Sequence, residues 1–259
     1  MVEANKSLVR IALAGHTTAG KTTLISTFRK APSGRIGDMG NTTKQANLFI
    51  PPTDYESLQA TFVDCPGFQN ASMMLQILRS KNQSADFIRQ FKSMLLAAKV
   101  DTQYDELACD AIKNSDVVIY VADIQSPADD SHIQEIRLIN EVNPRIIVLL
   151  NKARSFEREK GKGSKDKRIK QWENKIFNIE DIDITKVLDF DAFWDRPAKI
   201  YKVYDAIQDV LAPDKRELFI VSLANFYERQ KEIHKEAYDF LVEEIELLRK
   251  KMALSFKLC

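Results

Sequence analysis

The sequence predicts an α/β fold in three layers, with a mostly parallel six-stranded sheet, helical insertions and a long C-terminal helix. Three observations lead there. Short, β-branched, almost continuously apolar runs recur along the chain, as expected of strands covered on both faces. Segments of helical spacing separate them, and that alternation is the pattern of a doubly wound sheet. Residues 15–22 read Gly-His-Thr-Thr-Ala-Gly-Lys-Thr, a complete match to G-x-x-x-x-G-K-S/T, placed between the first apolar run and the first helical segment.

Residues 8–14 (Leu-Val-Arg-Ile-Ala-Leu-Ala) read as the first strand, and 22–30 as a helix with Leu24, Ile25 and Phe28 on one face. Residues 45–50 make a second strand, stopped by Pro51-Pro52, which cannot continue a ladder. A third runs over 58–63 and ends at Asp64. The stretch 68–115 is too long for a simple crossover. Within it Phe87, Ile88, Phe91, Met94 and Leu95 form one helical stripe, and Leu107, Ala108, Ala111 and Ile112 a second. Residues 116–122 and 145–150 give the fourth and fifth strands, separated by a helix carrying Ile133, Ile136 and Ile139. A second insertion spans 155–213, with a basic loop, Trp172, Phe177, Phe193 and Trp194, and a helix at 198–211. Residues 217–222 (Glu-Leu-Phe-Ile-Val-Ser) read as the sixth strand. The remainder is one helix with Ile233, Ala237, Phe240, Leu241, Ile245, Leu248 and Met252 in a single stripe. The organisation expected is a nucleotide-binding domain over 1–224, with insertions near 70–115 and 155–213, and a C-terminal helix over 225–259.

Composition narrows the function. A chain of 259 residues, 44% of them hydrophobic, can bury a sizeable core. A net charge of +1 gives no global field toward nucleic acid or membrane. Cys65, Cys109 and Cys259 are scattered, odd in number and without metal-ligand spacing, which argues for a reducing, cytoplasmic setting. The polar start is unlike a signal peptide. No apolar run is long enough to span a bilayer, so any membrane contact is expected to be peripheral. The cluster from Arg158 to Lys170 is diluted by Glu157, Glu159 and Asp166 and reads as a solvated, mobile loop. Trp172 and Trp194 read as core of the insertion, His132 and His234 as ordinary packing or surface residues, and no clear nucleic-acid-binding domain is visible.

The chemistry starts at the glycine loop. Strand, loop and helix start together make a phosphate cradle: loop N–H groups point inward, the helix N-terminus adds partial positive charge, and Lys21 adds a full one. The nucleotide-binding residues expected are Gly15, His16, Thr17, Thr18, Ala19, Gly20, Lys21, Thr22 and Thr23, with the Thr22 hydroxyl offered to Mg²⁺. Asp64-Cys65-Pro66-Gly67 follows the third strand. An aspartate there can support Mg²⁺ through water, and Gly67 can bring its N–H to a γ-phosphate because no side chain blocks the approach. Between the two lies Gly40-Asn41-Thr42-Thr43-Lys44, a stretch suited to being ordered by ligand.

Together these motifs resemble the translation-factor-class GTPases, most closely their Era/TrmE-like members, with dynamin-like relatives. The resemblance covers about 8–224, and Asn151-Lys152-Ala153-Arg154 and Ser222-Leu223-Ala224 are its weaker pieces. It implies GTP or GDP with Mg²⁺ held by Thr22, Asp64 and Thr43, with Thr42 as the alternative to Thr43, and Lys21, Thr43 and Gly67 as the catalytic group. It also implies that Asn151 and Lys152 support the guanine ring and that the 222–224 loop gives a backbone N–H to the base. Three positions depart from the pattern. Arg154, which only donates, replaces the aspartate that accepts from guanine, so ATP stays open beside GTP. Thr18 replaces the asparagine of the K⁺-using members. Phe68 replaces the water-orienting glutamine of Ras-like enzymes. Slow hydrolysis follows, stimulated by a second protomer or a partner, with 33–45 and 68–80 as switch segments. The alternatives are a phosphate-loop ATPase and a non-hydrolysing, nucleotide-stabilised scaffold or membrane-associated module. Candidate partners are a nucleotide-dependent homodimer and a protein docking on the switch segments or the C-terminal helix.

Overall fold

Strand β1 (Val9–Ala14) is apolar at all but one position, and that composition puts it in the middle of the molecule. Its side chains alternate between two cores, as the two-residue period of a strand requires. Val9, Ile11 and Leu13 face one side, and Ala12 and Ala14 the other. The computed structural model describes residues 8–29, 46–49, 58–80, 102–180, 182, 184 and 186–255.

Six strands make one sheet in the order β2-β3-β1-β4-β5-β6. Here β2 is Asn47–Phe49, β3 Ala60–Asp64, β4 Val117–Asp123, β5 Ile146–Asn151 and β6 Val187–Asp189. Only the edge strand β2 is antiparallel to its neighbour. The chain goes from β1 to β3 on one side and then crosses to β4 on the other. This leaves a crevice at the carboxyl ends of β1, β3 and β4, where open α/β sheets bind ligands.

Helices cover both faces. On one side lie α1 (Lys21–Arg29), α7 (Pro197–Val210) and the start of α8 (Pro213–Ser255), which bring Leu24, Phe28, Tyr204, Phe219 and Leu223 onto β1. The Tyr204 hydroxyl donates to the Phe28 carbonyl at 2.8 Å, so the one polar atom of that ring is satisfied inside the core. On the other side lie α3 (Gln103–Lys113), α4 (Asp130–Val142), α5 (Ala153–Lys160) and α6 (Ser164–Ile176), with Ile112, Ile136, Phe156 and Trp172 in the core. Helix α2 (Ala71–Ser80) docks through Ala71, Met74 and Ile77 onto Cys109 and Leu138. The three-layer architecture and the mostly parallel six-stranded sheet match the expectation.

The sixth strand is not where its residues suggest. Residues 217–222 belong to α8. Phe219, Leu223 and Phe226 are buried at i, i+4 and i+7, whereas Ile220 and Val221 are 46% and 57% exposed. Strand preference of a Phe-Ile-Val run is decided by packing, and here the helical stripe finds the core. The sixth place is taken by β6, three half-buried residues inside the stretch 155–213, too short to show a period. The basic cluster is also different: it forms α5 and α6, turned about Gly161 and Gly163, and Phe156, Trp172 and Ile176 anchor both to the sheet. Trp172 is fully buried, as expected. Trp194 is 50% exposed, contrary to the expectation of core, and its neighbour Phe193 is 75% exposed. Residues 231–250 of α8 are exposed throughout, including the apolar stripe from Ile233 to Leu248. The predicted helix at 87–95 lies outside the described residues.

Candidate functional site

The phosphate loop is built between the end of β1 and the start of α1, and its glycines are dictated by close contact. A Cβ on Gly15, which has φ +126°, would stand 2.1 Å from the Val121 carbonyl oxygen of β4. One on Gly20, with φ +88°, would stand 2.5 Å from Nδ2 of Asn151. L-residues rarely adopt either conformation. Thr18 also takes a left-handed φ, +68°. Lys21 is buried, and its Nζ donates to the carbonyls of Gly15 and His16, each at 2.8 Å. Burial lowers its pKa, against the raising influence of Asp64 and Glu135.

Asp64 lies at the end of β3, level with Leu13 of β1, and is 1% exposed. Its Oδ2 accepts the Thr22 hydroxyl at 2.5 Å, so loop and strand end are locked together. Gly67 lies against the loop as well: a Cβ there would meet Thr17 at 3.0 Å. Residues 15–23, Asp64 and Gly67 thus form one group. A buried carboxylate beside a hydroxyl is a donor set that fits a hard divalent cation such as Mg²⁺. Thr43 lies outside the described residues.

On the far side of the loop, Nδ2 of Asn151 donates to the Ala19 carbonyl at 2.9 Å, and Nζ of Lys152 donates to the Thr18 carbonyl at 3.1 Å and to Asp123 at 2.7 Å. These two residues therefore tie the end of β5 to the phosphate loop. Ser222, Leu223 and Ala224 do not join them. They sit in helix α8, and the Ser222 hydroxyl accepts the Gln59 N–H at 2.7 Å, just before the first residue of β3. That is the amino end of the parallel sheet, opposite the loop, so the expectation of a base-contacting loop at 222–224 is overturned. Residues 190–195, which follow β6, lie beside Asn151 and Lys152 instead. The Phe190 carbonyl accepts from the Ala153 N–H at 3.1 Å, and Asp191 closes the loop through four bonds at 2.7–3.2 Å, to Ser155, Phe193 and Trp194.

Three acidic or phenolic side chains behind the site were not visible in the sequence. Glu135 of α4 is 3% exposed; it accepts from the Tyr120 hydroxyl at 2.8 Å and meets Nε2 of His16 at 3.4 Å. Burial pushes its carboxyl up to about 8. Burial, with His132 stacked at 4.1 Å, brings the His16 pKa down to about 4. Burial thus favours the neutral form of both partners in this contact. Asp105 of α3, fully buried, accepts from the Gln69 and Asn70 N–H groups at 2.8 and 3.0 Å and from Nδ2 of Asn70 at 2.8 Å. It pins the segment that follows Gly67. A cavity of about 830 Å³ opens between α2, α4 and the loop, lined by His16, Thr17, Phe68, Gln69 and Glu135 among others. A helical periodicity marks Glu135 and Asp105 only as polar residues on buried faces; their partners come from distant strands and loops.

The comparisons agree with this geometry. A family model described as 50S ribosome-binding GTPase matches residues 10–152. The GTPase Der of Karelsulcia muelleri (strain GWSS) is 26% identical over 174 residues, 67% of this chain and 33% of Der, so the chain spans about a third of the length of that curated relative. Among solved structures, Era in complex with MgGDPNP and nucleotides 1506–1542 of 16S ribosomal RNA superposes with a TM-score of 0.56 at 15% identity, covering 80% of this chain and 57% of Era. An Aquifex aeolicus Era variant bound to GDP and AlF4⁻ gives 0.53 at 16% identity, covering 78% and 56%. Both show the fold. The resemblance to Era-like GTPases read from the motifs is thus supported independently by family, relative and fold. With the glycine loop, the Asp64–Gly67 strand end and Asn151-Lys152 all inside or bordering the matched stretch, the chain belongs to the 50S ribosome-binding GTPase family.

Proposed function

We propose that this domain binds GTP or GDP with Mg²⁺ across the carboxyl ends of β1, β3 and β4, and hydrolyses GTP slowly as a nucleotide-dependent switch. The observation that carries the reading is the convergence of Lys21, the Thr22–Asp64 pair and Gly67 on one glycine-lined loop. In this role Lys21 exchanges the Gly15 and His16 carbonyls for the β- and γ-phosphate oxygens, which offer its buried ammonium a stronger partner. Thr22 and Asp64, completed by Thr43, would hold Mg²⁺, which when bound neutralises charge on the phosphate oxygens. Gly67 presents its N–H toward the γ-phosphate, and water attacks the γ-phosphorus in line as the bond to the leaving diphosphate breaks.

Phe68 cannot orient that water, and the Gln69 backbone N–H is committed to Asp105. Slow turnover, raised by a second copy or a protein partner, follows. The segment after Gly67 and helix α2 convey the nucleotide state, and the exposed part of α8 is the second candidate contact surface. The proposal carries a cytoplasmic setting with at most peripheral membrane contact; among the described residues no helix is long and apolar enough to cross a membrane. Titration of GTP into the protein and its Lys21→Ala variant tests the binding: micromolar or tighter binding lost in the variant supports it, and equal affinity removes it. Phosphate release at rising protein concentration tests the turnover. A rate that climbs indicates activation by a second copy. A rate at background throughout favours the second reading, a nucleotide-stabilised scaffold, which Phe68 at the water position supports.

A further inference from the structure

We infer that Asp105 of α3 is a positioning residue for the γ-phosphate: it fixes the short stretch between Gly67 and α2, and so sets how strongly the site prefers a triphosphate to a diphosphate. The inference rests on the nucleotide reading above, in which Gly67 offers its N–H to that phosphate.

Gly67 stands at the phosphate loop, where a Cβ would meet Thr17 at 3.0 Å and the Gly15 carbonyl oxygen at 3.4 Å. On the β3 side the chain is held by the sheet, since the Cys65 N–H donates to the Leu13 carbonyl at 3.1 Å. On the other side only Phe68, Gln69 and Asn70 precede α2, and Gln69 is exposed. A surface stretch of this kind has freedom to lose when a ligand orders it. Asp105 removes that freedom. Its Oδ1 accepts the Gln69 and Asn70 N–H groups at 2.8 and 3.0 Å, and its Oδ2 accepts Nδ2 of Asn70 at 2.8 Å. The Asn70 carbonyl in turn accepts the Met74 N–H at 3.0 Å, which opens α2. The carboxylate therefore lies at the amino ends of two helices, its own and α2, where negative charge is favoured. Its mount is rigid: Ala108, Ala111 and Ile112 of α3 are buried in the core beneath the sheet. With the stretch held in advance, a γ-phosphate meets the Gly67 N–H without first ordering the chain. Ordering the backbone of one residue costs about a factor of ten in an equilibrium. A diphosphate makes no contact with Gly67 in this reading, so its affinity gains nothing from the clamp.

Isothermal titration of GDPNP and of GDP, each with Mg²⁺, into the full chain and its variants tests this. Asp105→Ala is expected to weaken GDPNP about tenfold or more and GDP by less than about threefold. Asp105→Asn keeps an Oδ1 for both backbone donors, and the Asn70 amide can turn its oxygen to the new Nδ2, so most of the preference is expected to return. Ile112→Ala removes packing from the same helix and leaves the carboxylate in place; a lower melting temperature with an unchanged GDPNP-to-GDP ratio is expected. An unchanged ratio in Asp105→Ala, an asparagine variant no better than the alanine one, or an equal shift in Ile112→Ala overturns the inference. If Asp105→Ala does not fold, Asn70→Asp decides, because it sets a second carboxylate against Asp105 while keeping a residue suited to a helix start: a lost preference supports the inference and an intact one overturns it. A wild-type chain that binds neither nucleotide, or a Lys21→Ala variant that binds both as wild type does, removes instead the reading on which the inference rests.

Discussion

Glu135→Gln isolates the ionisation of one buried carboxyl behind the phosphate loop. Glu135 is 3% exposed and faces the Tyr120 hydroxyl, His16, Lys21, Asp105 and Asp129. Burial, partly opposed by the Tyr120 bond and by Lys21, moves its pKa from the ordinary 4.5 to about 8. Below pH 4.5 folded and unfolded chains both carry the proton. Between 4.5 and 8 only the unfolded chain ionises, so stability falls as pH rises, by at most about 1.4 kcal/mol per pH unit and about 5 kcal/mol in all. Above 8 the loss is complete. His16 works in the opposite direction, because its lowered pKa costs stability as pH falls from 6.5 toward 4. That contribution is common to both proteins and largely cancels in their difference. Glutamine still accepts from Tyr120 and can donate to His16. Urea denaturation from pH 4.5 to 8.5 is expected to show the variant gaining on wild type with every unit, by roughly 1 kcal/mol near neutrality. A difference constant to within about 0.5 kcal/mol across that range would refute the reasoning.

Gly15→Ala forces a Cβ into the Val121 carbonyl, and either the loop shifts or the fold loses about 3 kcal/mol or more; a lowered melting temperature together with weakened nucleotide binding is expected. Asp105→Ala strands the Gln69 and Asn70 N–H groups at a cost of about 2–4 kcal/mol, and hydrogen exchange at those two amides should accelerate while that of β1 changes little. The two halves of α8 should respond oppositely to the same chemistry. Leu223→Asp, in the core, should cost 4 kcal/mol or more by roughly the burial of a leucine plus an unpaired charge, and Leu241→Asp, on the exposed part, about 0.5 kcal/mol or less in denaturant melts of the isolated chain. Asp64→Asn weakens the oxygen set shared with Thr22, so nucleotide affinity should lose most of its dependence on added Mg²⁺; an unaltered Mg²⁺ titration would count against that assignment.

Local pattern was sufficient wherever one segment carries its own geometry. The loop 15–22, the strand ending at Asp64 and the apolar runs of β1, β4 and β5 declare themselves because glycine, lysine and β-branched residues act at short range. Segments whose partner lies far along the chain did not. Residues 217–222 look like a strand until Phe219, Leu223 and Phe226 are seen to meet Tyr204 and Phe28 across the sheet face. Thr43 fell outside the described residues and stays an expectation.

The amino-acid sequence alone therefore determined the phosphate cradle and the sheet that presents it, since a glycine turn between an apolar strand and a helix can adopt few other forms. Only the tertiary structure decided which loop stands beside Asn151 and Lys152, where Arg154 sends one of its donors and how far burial raises the Glu135 pKa. Those outcomes depend on desolvation and on partners 15 to 40 residues away, such as Tyr120 for Glu135 and the Trp194 carbonyl for Arg154, and no local window contains them.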